Sequence, residues 1–264
     1  RAIAQTECDC VVLLNSDVEV SEGWLDAPLA LLQERSDVAA VQPKIRAFRE
    51  KHAFEYAGAA GGYVDRWGYP FCRGRIFDTV ETDTGQYDDI AEVFWASGAA
   101  LFIRRQVYMA VGGLDPRFFA HQEEIDLCWR LHSRGWRIAV APSSTVFHLG
   151  GGSLDMKNPR KVYLNFRNNL LMLYKNLPET ALKPTMRIRA LLDFLSAMVF
   201  LLTGKFRHMQ AVVRARRDFR RMRPDFSASR SKNLLLGSIP APMKPYSIVF
   251  QFYIRRRKIF SRLP

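Results

Sequence analysis

The sequence predicts an α/β domain followed by a mainly helical, strongly basic C-terminal region. Three observations predict it. Short apolar runs ending in polar turn residues alternate with helical patterns as far as about residue 178. Beyond about Arg187 that alternation gives way to long helical periods among arginines. The charge divides in the same way. Residues 1–150 hold 15 Lys+Arg against 21 Asp+Glu, a net of −6, whereas residues 151–264 hold 24 against 5, a net of +19. The expected organisation is therefore one domain over 1–178 and a second, basic amphipathic region over 179–264. With 264 residues and 48% hydrophobic content there is ample material for a core.

Taken in order, Val11 to Leu14 is a continuous apolar run ending at Asn15-Ser16-Asp17, the pattern of a buried parallel strand that delivers polar groups at its C-terminal end. Ser21 is placed to cap a helix from about Glu22 to Arg35, and Val38 to Val41 completes a strand–helix–strand unit. Residues 46–90 show no sustained period and read as a long structured excursion, the kind of segment that usually has a function. Glu92 to Trp95 and Ala99 to Ile103 are strand-like around Ser97-Gly98. A short helix from Arg105 stops at Gly112-Gly113, and another runs from about Gln122 to Ser133. Trp136 to Val140 and Thr145 to Phe147 are short strands flanking Pro142. His148 opens a glycine-rich loop through Ser153, and Asn158 to Lys175 is a polar helix.

Ala190 to Leu202 is apolar except for Asp193 and Ser196, and is shorter than the roughly 20 residues of a membrane span. Phe206 to Arg223 is a basic amphipathic helix of the membrane-surface type, and Phe250 to Lys258 repeats that mixture. The four cysteines fit no zinc spacing and no disulfide framework, in keeping with a reducing compartment. The chain begins at Arg1 and enters a strand pattern at once, which reads as a fragment lacking its natural start.

Four segments could support chemistry. Asp17 at a strand exit offers a hard oxygen for Mg²⁺ or Mn²⁺ against a diphosphate, although Asn and Asp also end strands for turn geometry alone. Glu123, Glu124 and Asp126 open a helix. First-turn acids complement the helix dipole, but crowded carboxylates also raise one another's pKa, as a general base requires. His148 before a glycine run suits a metal–phosphate site or a purely structural role. Trp95-Ala96-Ser97-Gly98 permits close approach of a ligand or of backbone.

The order of these pieces resembles the family 2 glycosyltransferases, with a GT-A type (Rossmann-like) fold, and within them rhamnosyltransferase-like bacterial enzymes. Leu13-Leu14-Asn15-Ser16-Asp17 is similar to the family's Asp-x-Asp strand end, with Asn15 at the first acidic position. Gly112 to Leu127 is similar to its acidic base motif, and His148-Leu149-Gly150-Gly151 to its late histidine. The resemblance covers about residues 8–178 and implies an N-terminally truncated, metal-dependent enzyme of cell-surface glycan synthesis. Asp17 and His148 would hold Mg²⁺ or Mn²⁺. Glu124 would be the base, with Asp126 the second choice and Glu123 in support. Asn15, Trp95, Ser97 and Gly98 would line the substrate site. The implied partners are a nucleotide-diphospho-sugar donor, a lipid-linked or glycan acceptor, and an anionic membrane surface reached through 186–223 and 250–262. The expected location is the inner face of the cell membrane, with no nucleic acid bound. A nucleotidyltransferase of related fold and a non-enzymatic membrane- or nucleic-acid-binding protein are the rival readings. The first lacks a visible phosphate loop, and the apolar 190–202 segment fits lipid better than nucleic acid.

Overall fold

The computed structural model describes residues 2–150, 158–234 and 237–264. The chain folds as two compact units interleaved in sequence, residues 1–113, 127–150 and 240–264 in one and 114–126 and 151–239 in the other.

The first unit is built on a mixed sheet. Its strands are β1 (Cys10–Leu14), β2 (Val18–Val20), β3 (Val38–Ala47), then β8 (Ala91–Glu92), β9 (Ala100–Arg104) and β10 (Arg137–His148), in the order β1-β9-β3-β10-β2 with β8 also on β10. Among the described strands of this sheet the one parallel pairing is β3 with β10. Contrary to the expectation of a buried parallel strand, β1 is an edge strand, antiparallel to β9 and partly exposed. Its apolar run packs one side on the core formed by Leu31, Leu32, Val38, Val41 and Phe102. Helix α1 (Asp26–Glu34) starts four residues later than expected. The reason is local: the Ser21 hydroxyl donates to the Thr145 carbonyl at 2.6 Å, and Gly23, at φ +67°, turns the chain before the helix begins. The two expected strands around Pro142 are one strand, β10, whose register with β3 shifts between Ala141 and Thr145.

The 46–90 excursion contains a second, antiparallel sheet of β4 (Gly62–Val64), β5 (Pro70–Cys72), β6 (Arg75–Ile76) and β7 (Thr79–Val80). Gly62 is there because Trp95 lies against it: a Cβ on Gly62 would fall 1.9 Å from the indole ring. The C-terminal segment belongs to this unit rather than to the basic region. Phe260 stacks on Tyr63 at 5.4 Å, and the Asp65 carboxylate accepts from the Ile248 amide at 2.8 Å. Burying aromatic area fixes the tail there more firmly than its charge could. Helix α2 (Arg105–Ala110) follows β9, and helix α3 (Glu123–His132) spans the division between units after Asp126.

The second unit is helical: α4 (Pro159–Asn176), α5 (Glu179–Leu202), α6 (Phe206–Met222) and α7 (Ser227–Asn233). The acid inside the apolar 190–202 run has a packing role. Asp193 is fully buried and pairs with Arg189, one turn back, and with Arg216 of α6, while Arg189 also donates to Asn169 of α4. A charge buried with two guanidinium partners is tolerated where a lone one would not be. This face of α5 therefore turns inward. Leu191, Phe194, Leu195, Val199 and Leu202 lie on the other face and are exposed, Leu202 by 80%. Among the described residues no helix is long and apolar enough to cross a membrane.

Candidate functional site

In the first unit three chain segments meet at the end of β10. His148 is the last residue of that strand, held between Ala47 of β3 and Val18 of β2. Its carbonyl accepts from the Phe48 amide, and the next amide, of Leu149, donates to the Asp17 carbonyl, each at 3.0 Å. The imidazole is thereby aimed at the β1–β2 turn. Nε2 lies 3.2 Å from Asp17 Oδ1 and 3.4 Å from the Asn15 amide. On the other side Nδ1 faces Glu55 Oε1 at 3.5 Å, an ion-pair distance rather than a good hydrogen bond. Burial pulls the His148 pKa down, but Glu55 and Asp17 outweigh it, and the net shift is upward. His148 and Glu55 are buried, while Asp17 remains 30% exposed and so open to a ligand.

Glu55 is the residue that sequence reasoning missed. It sits in the aperiodic excursion, and only β3 pairing brings it to His148; its amide donates to the Ile45 carbonyl at 3.0 Å. The one available signal was Gly150. A Cβ there would lie 2.8 Å from Glu55 Oε1, and its φ of +62° favours glycine. Gly151 to Ser153, the rest of the expected phosphate loop, lies outside the described residues.

Trp95 and Ser97 are interior. The Trp95 indole N–H donates to the Tyr63 carbonyl at 3.0 Å, and the Ser97 amide donates to the Gln42 side chain at 2.8 Å. Gly98, between Ser97 and Ala99, is half-buried. The Ala99 carbonyl next in the chain accepts from the Asn15 amide at 3.0 Å.

The acidic cluster opens α3 in the second unit, and α4 builds its surroundings. The Asn168 side-chain amide donates to the carbonyls of Phe118, Ala120 and His121 at 2.8–2.9 Å. Arg167 adds a bond to the Phe118 carbonyl at 2.9 Å, and Asn169 one to the Gln122 side chain at 3.1 Å. So clamped, the loop holds three non-glycine residues at positive φ: Phe119 (+68°), His121 (+68°) and Gln122 (+74°). Each such residue costs about 1–3 kcal/mol, and such residues gather at functional sites.

The three acids are treated differently. Asp126 is fully buried, with one oxygen on Lys175 Nζ at 2.7 Å and the other on the Asn176 amide at 2.8 Å. Lys175 also holds Asp115 at 2.9 Å. Burial opposes ionisation of Asp115, but Arg117 and Lys175 outweigh it and hold its carboxyl below the usual range. Glu123 and Glu124 each keep one buried carboxylate oxygen with no hydrogen-bond partner among the described residues. Burial raises the pKa of both, and with Glu123 beside it Glu124 is pushed up to about 8. Unsatisfied buried polar atoms are rare in a folded protein and call for an explanation.

The similarities to known proteins lie over these same segments. The chain matches the glycosyltransferase like family 2 over residues 1–170. It is 31% identical over 147 residues to the N-acetylglucosaminyl-diphospho-decaprenol L-rhamnosyltransferase of Mycobacterium tuberculosis, covering 53% of this chain and 47% of that protein. It is 28% identical over 148 residues to the O-antigen biosynthesis protein RfbC of Myxococcus xanthus, covering 56% of this chain and 11% of that protein. To the pre-mycofactocin glycosyltransferase of M. tuberculosis it is 28% identical over 150 residues, 55% of this chain and 28% of that protein. The matched region thus spans about half the length of the first of these relatives and less of the others. With nearly two thirds of its length inside the family match, the chain belongs to the glycosyltransferase like family 2.

Proposed function

We propose that the protein transfers a sugar, with inversion, from a nucleotide-diphospho-sugar to a hydroxyl of a lipid-linked or polysaccharide acceptor. The observation that supports this best is Glu124. One oxygen of its carboxyl is buried with no hydrogen-bond partner among the described residues, and its pKa is raised to about 8. That is the state of a general base awaiting a proton donor. The acceptor hydroxyl supplies the donor: it gives its proton to Glu124 as its oxygen attacks the anomeric carbon, and the nucleoside diphosphate leaves from the opposite face. Glu123 keeps the affinity of Glu124 for that proton high. Asp126, committed to Lys175 and Asn176, anchors the helix start and is a positioning residue rather than the base. In this reading Asn15 and the Trp95–Gly98 segment contribute on the donor side, with Trp95 and Ser97 supporting from the interior.

The chemistry of the Asp17–His148 pair fits a divalent cation, Mg²⁺ or Mn²⁺. The His148 imidazole nitrogen and the partly exposed Asp17 carboxylate oxygen, 3.2 Å apart, are the kinds of donor atom that would hold such an ion. Glu55 on the second ring nitrogen is the carboxylate that a metal-binding histidine commonly has behind it. Among the described residues no group of three His, Cys, Asp or Glu side chains is placed to hold a metal, so the remaining positions would fall to diphosphate oxygens and water. When bound, the cation would supply Lewis-acid stabilisation of the leaving diphosphate.

The exposed apolar face of α5, with Phe206 and the arginines of α6 beside it in sequence, supports peripheral attachment to an anionic membrane leaflet. In the 250–262 segment Phe252 is buried, and Phe250, Tyr253 and Ile254 are the exposed apolar residues.

The following outcomes are expected. kcat/KM rises with pH to a limb near 8, because Glu124 must lose its proton to act. Glu124→Gln lowers kcat about 10²-fold or more, and Glu123→Gln moves the limb to lower pH by removing a like charge. A limb in the ordinary carboxylate range, or an unchanged rate in Glu124→Gln, contradicts the assignment. Glu55→Gln lowers the His148 pKa, read from the imidazole proton shifts; an unchanged titration separates Glu55 from the site. In flotation with anionic vesicles, Phe194→Glu/Val199→Glu weakens binding at least tenfold, and equal flotation of the two proteins removes α5 from the membrane contact.

A further inference from the structure

Between α4 and α6 lies a cavity of about 730 Å³ whose walls are unusually basic. Arg160 and Arg167 of α4 and Arg207 and Arg214 of α6 all line it, with Tyr163 between them and Phe119 at the loop that leads into α3. The placement follows from helical spacing. Positions 160, 163 and 167 share one face of α4, and 207, 210, 211 and 214 share one face of α6. Two of the four guanidinium groups, of Arg167 and Arg214, sit over the Tyr163 ring, at 5.3 and 4.9 Å from its centroid.

Charges so arranged repel one another, and little offsets them. Among the described residues the only carboxylate paired with any of the four is Asp218, on Arg214 at 3.4 Å. Asp218 is also engaged by the Tyr163 hydroxyl at 2.9 Å and by Arg217. Arg160 and Arg207 are exposed and have no carboxylate partner among the described residues. Arg160 instead lies over the Phe119 ring at 5.2 Å, and Phe119 is itself 70% exposed and held at positive φ. The first turn of α4 enters the same wall at Pro159, adding the positive end of an 18-residue helix.

Four guanidinium groups converging with a single paired carboxylate among the described residues make a receptor for phosphate oxygens, which they meet in bidentate pairs. The volume is that of an organic-ligand site, far more than one phosphate ion fills. Apolar surface adjoins the charge: Phe119 and Leu164 are in the lining, and Phe206 immediately precedes Arg207.

We propose that this cavity binds the diphosphate headgroup of an apolar-chain lipid, with Arg160 and Arg207 gripping it and Phe119 against the start of the chain. The identification of that lipid as the acceptor rests on the transferase reading; the binding site itself does not. Arg167 then has two roles in one side chain, since it lines the cavity and also holds the Phe118 carbonyl of the loop that presents Glu124. Filling the cavity and ordering the base loop become coupled.

The test is calorimetric titration of the full chain with farnesyl diphosphate, inorganic pyrophosphate and farnesol. The expected result is that farnesyl diphosphate binds at least tenfold more tightly than either of the others. Arg160→Gln/Arg207→Gln should weaken it at least tenfold with an unchanged thermal melt. Arg220→Gln/Arg221→Gln, which removes the same charge from exposed positions outside the lining, should change it less than twofold. No binding to the unmodified protein overturns the proposal. So does equal affinity for pyrophosphate, which makes the ligand a free anion, or an equal loss in both double variants, which makes the attraction non-specific. Release of nucleoside diphosphate from the sugar donor is measured separately, so the transferase reading and the lipid site can fail independently.

Discussion

One side chain, the Asn168 amide, holds the part of the second unit on which the proposed chemistry depends. By donating to the carbonyls of Phe118, Ala120 and His121 it fixes, from α4, a loop that is itself irregular. Three residues at positive φ make that loop costly by several kcal/mol taken together. The amide bonds are made inside the protein, where a lost donor costs more than a formed bond gains. The clamp therefore sets how α3 begins, and through that how Glu123 and Glu124 are desolvated.

The same helix start shows how environment divides neighbouring acids. Asp126 and Glu124 are two residues apart. Lys175 and Asn176 take both oxygens of the first, whereas the second keeps a buried oxygen without a partner among the described residues and a raised pKa. A carboxyl whose folded-state pKa lies above its unfolded value binds more protons when folded, so stability falls as pH rises from about 4.5 toward 8. A site that works against stability in this way is the expected mark of function rather than of packing. The histidine end of the first unit is arranged on the opposite principle: there Glu55 and Asp17 stabilise the charged imidazole despite its burial.

Much of this was legible in the sequence because it is local. The apolar run before Asn15, the acids opening α3, the glycines closing α2 and the helical period of α6 each announce themselves within a few residues. The α/β layout and the family assignment follow from their order and hold in the structure. What stayed hidden depends on tertiary pairing. Antiparallel placement of β1 beside β9 is decided by a partner nearly ninety residues away. Glu55 lies in a segment with no period and reaches His148 only through β3. Asp193 interrupts an apolar run without explanation until Arg189 and Arg216 are seen around it. The arginine-lined cavity was visible only as composition: the sequence shows a basic helix, but not that four of its and its neighbour's charges converge on one space.

The protonation of Glu124 decides the proposed base chemistry, and direct titration by carbon NMR of glutamate side-chain carboxyls measures it without reference to substrate. One carboxyl resonance should titrate with a midpoint near pH 8, assigned to Glu124 by its loss in Glu124→Gln. A Glu124 carboxyl that titrates in the ordinary range near 4.5 would contradict it.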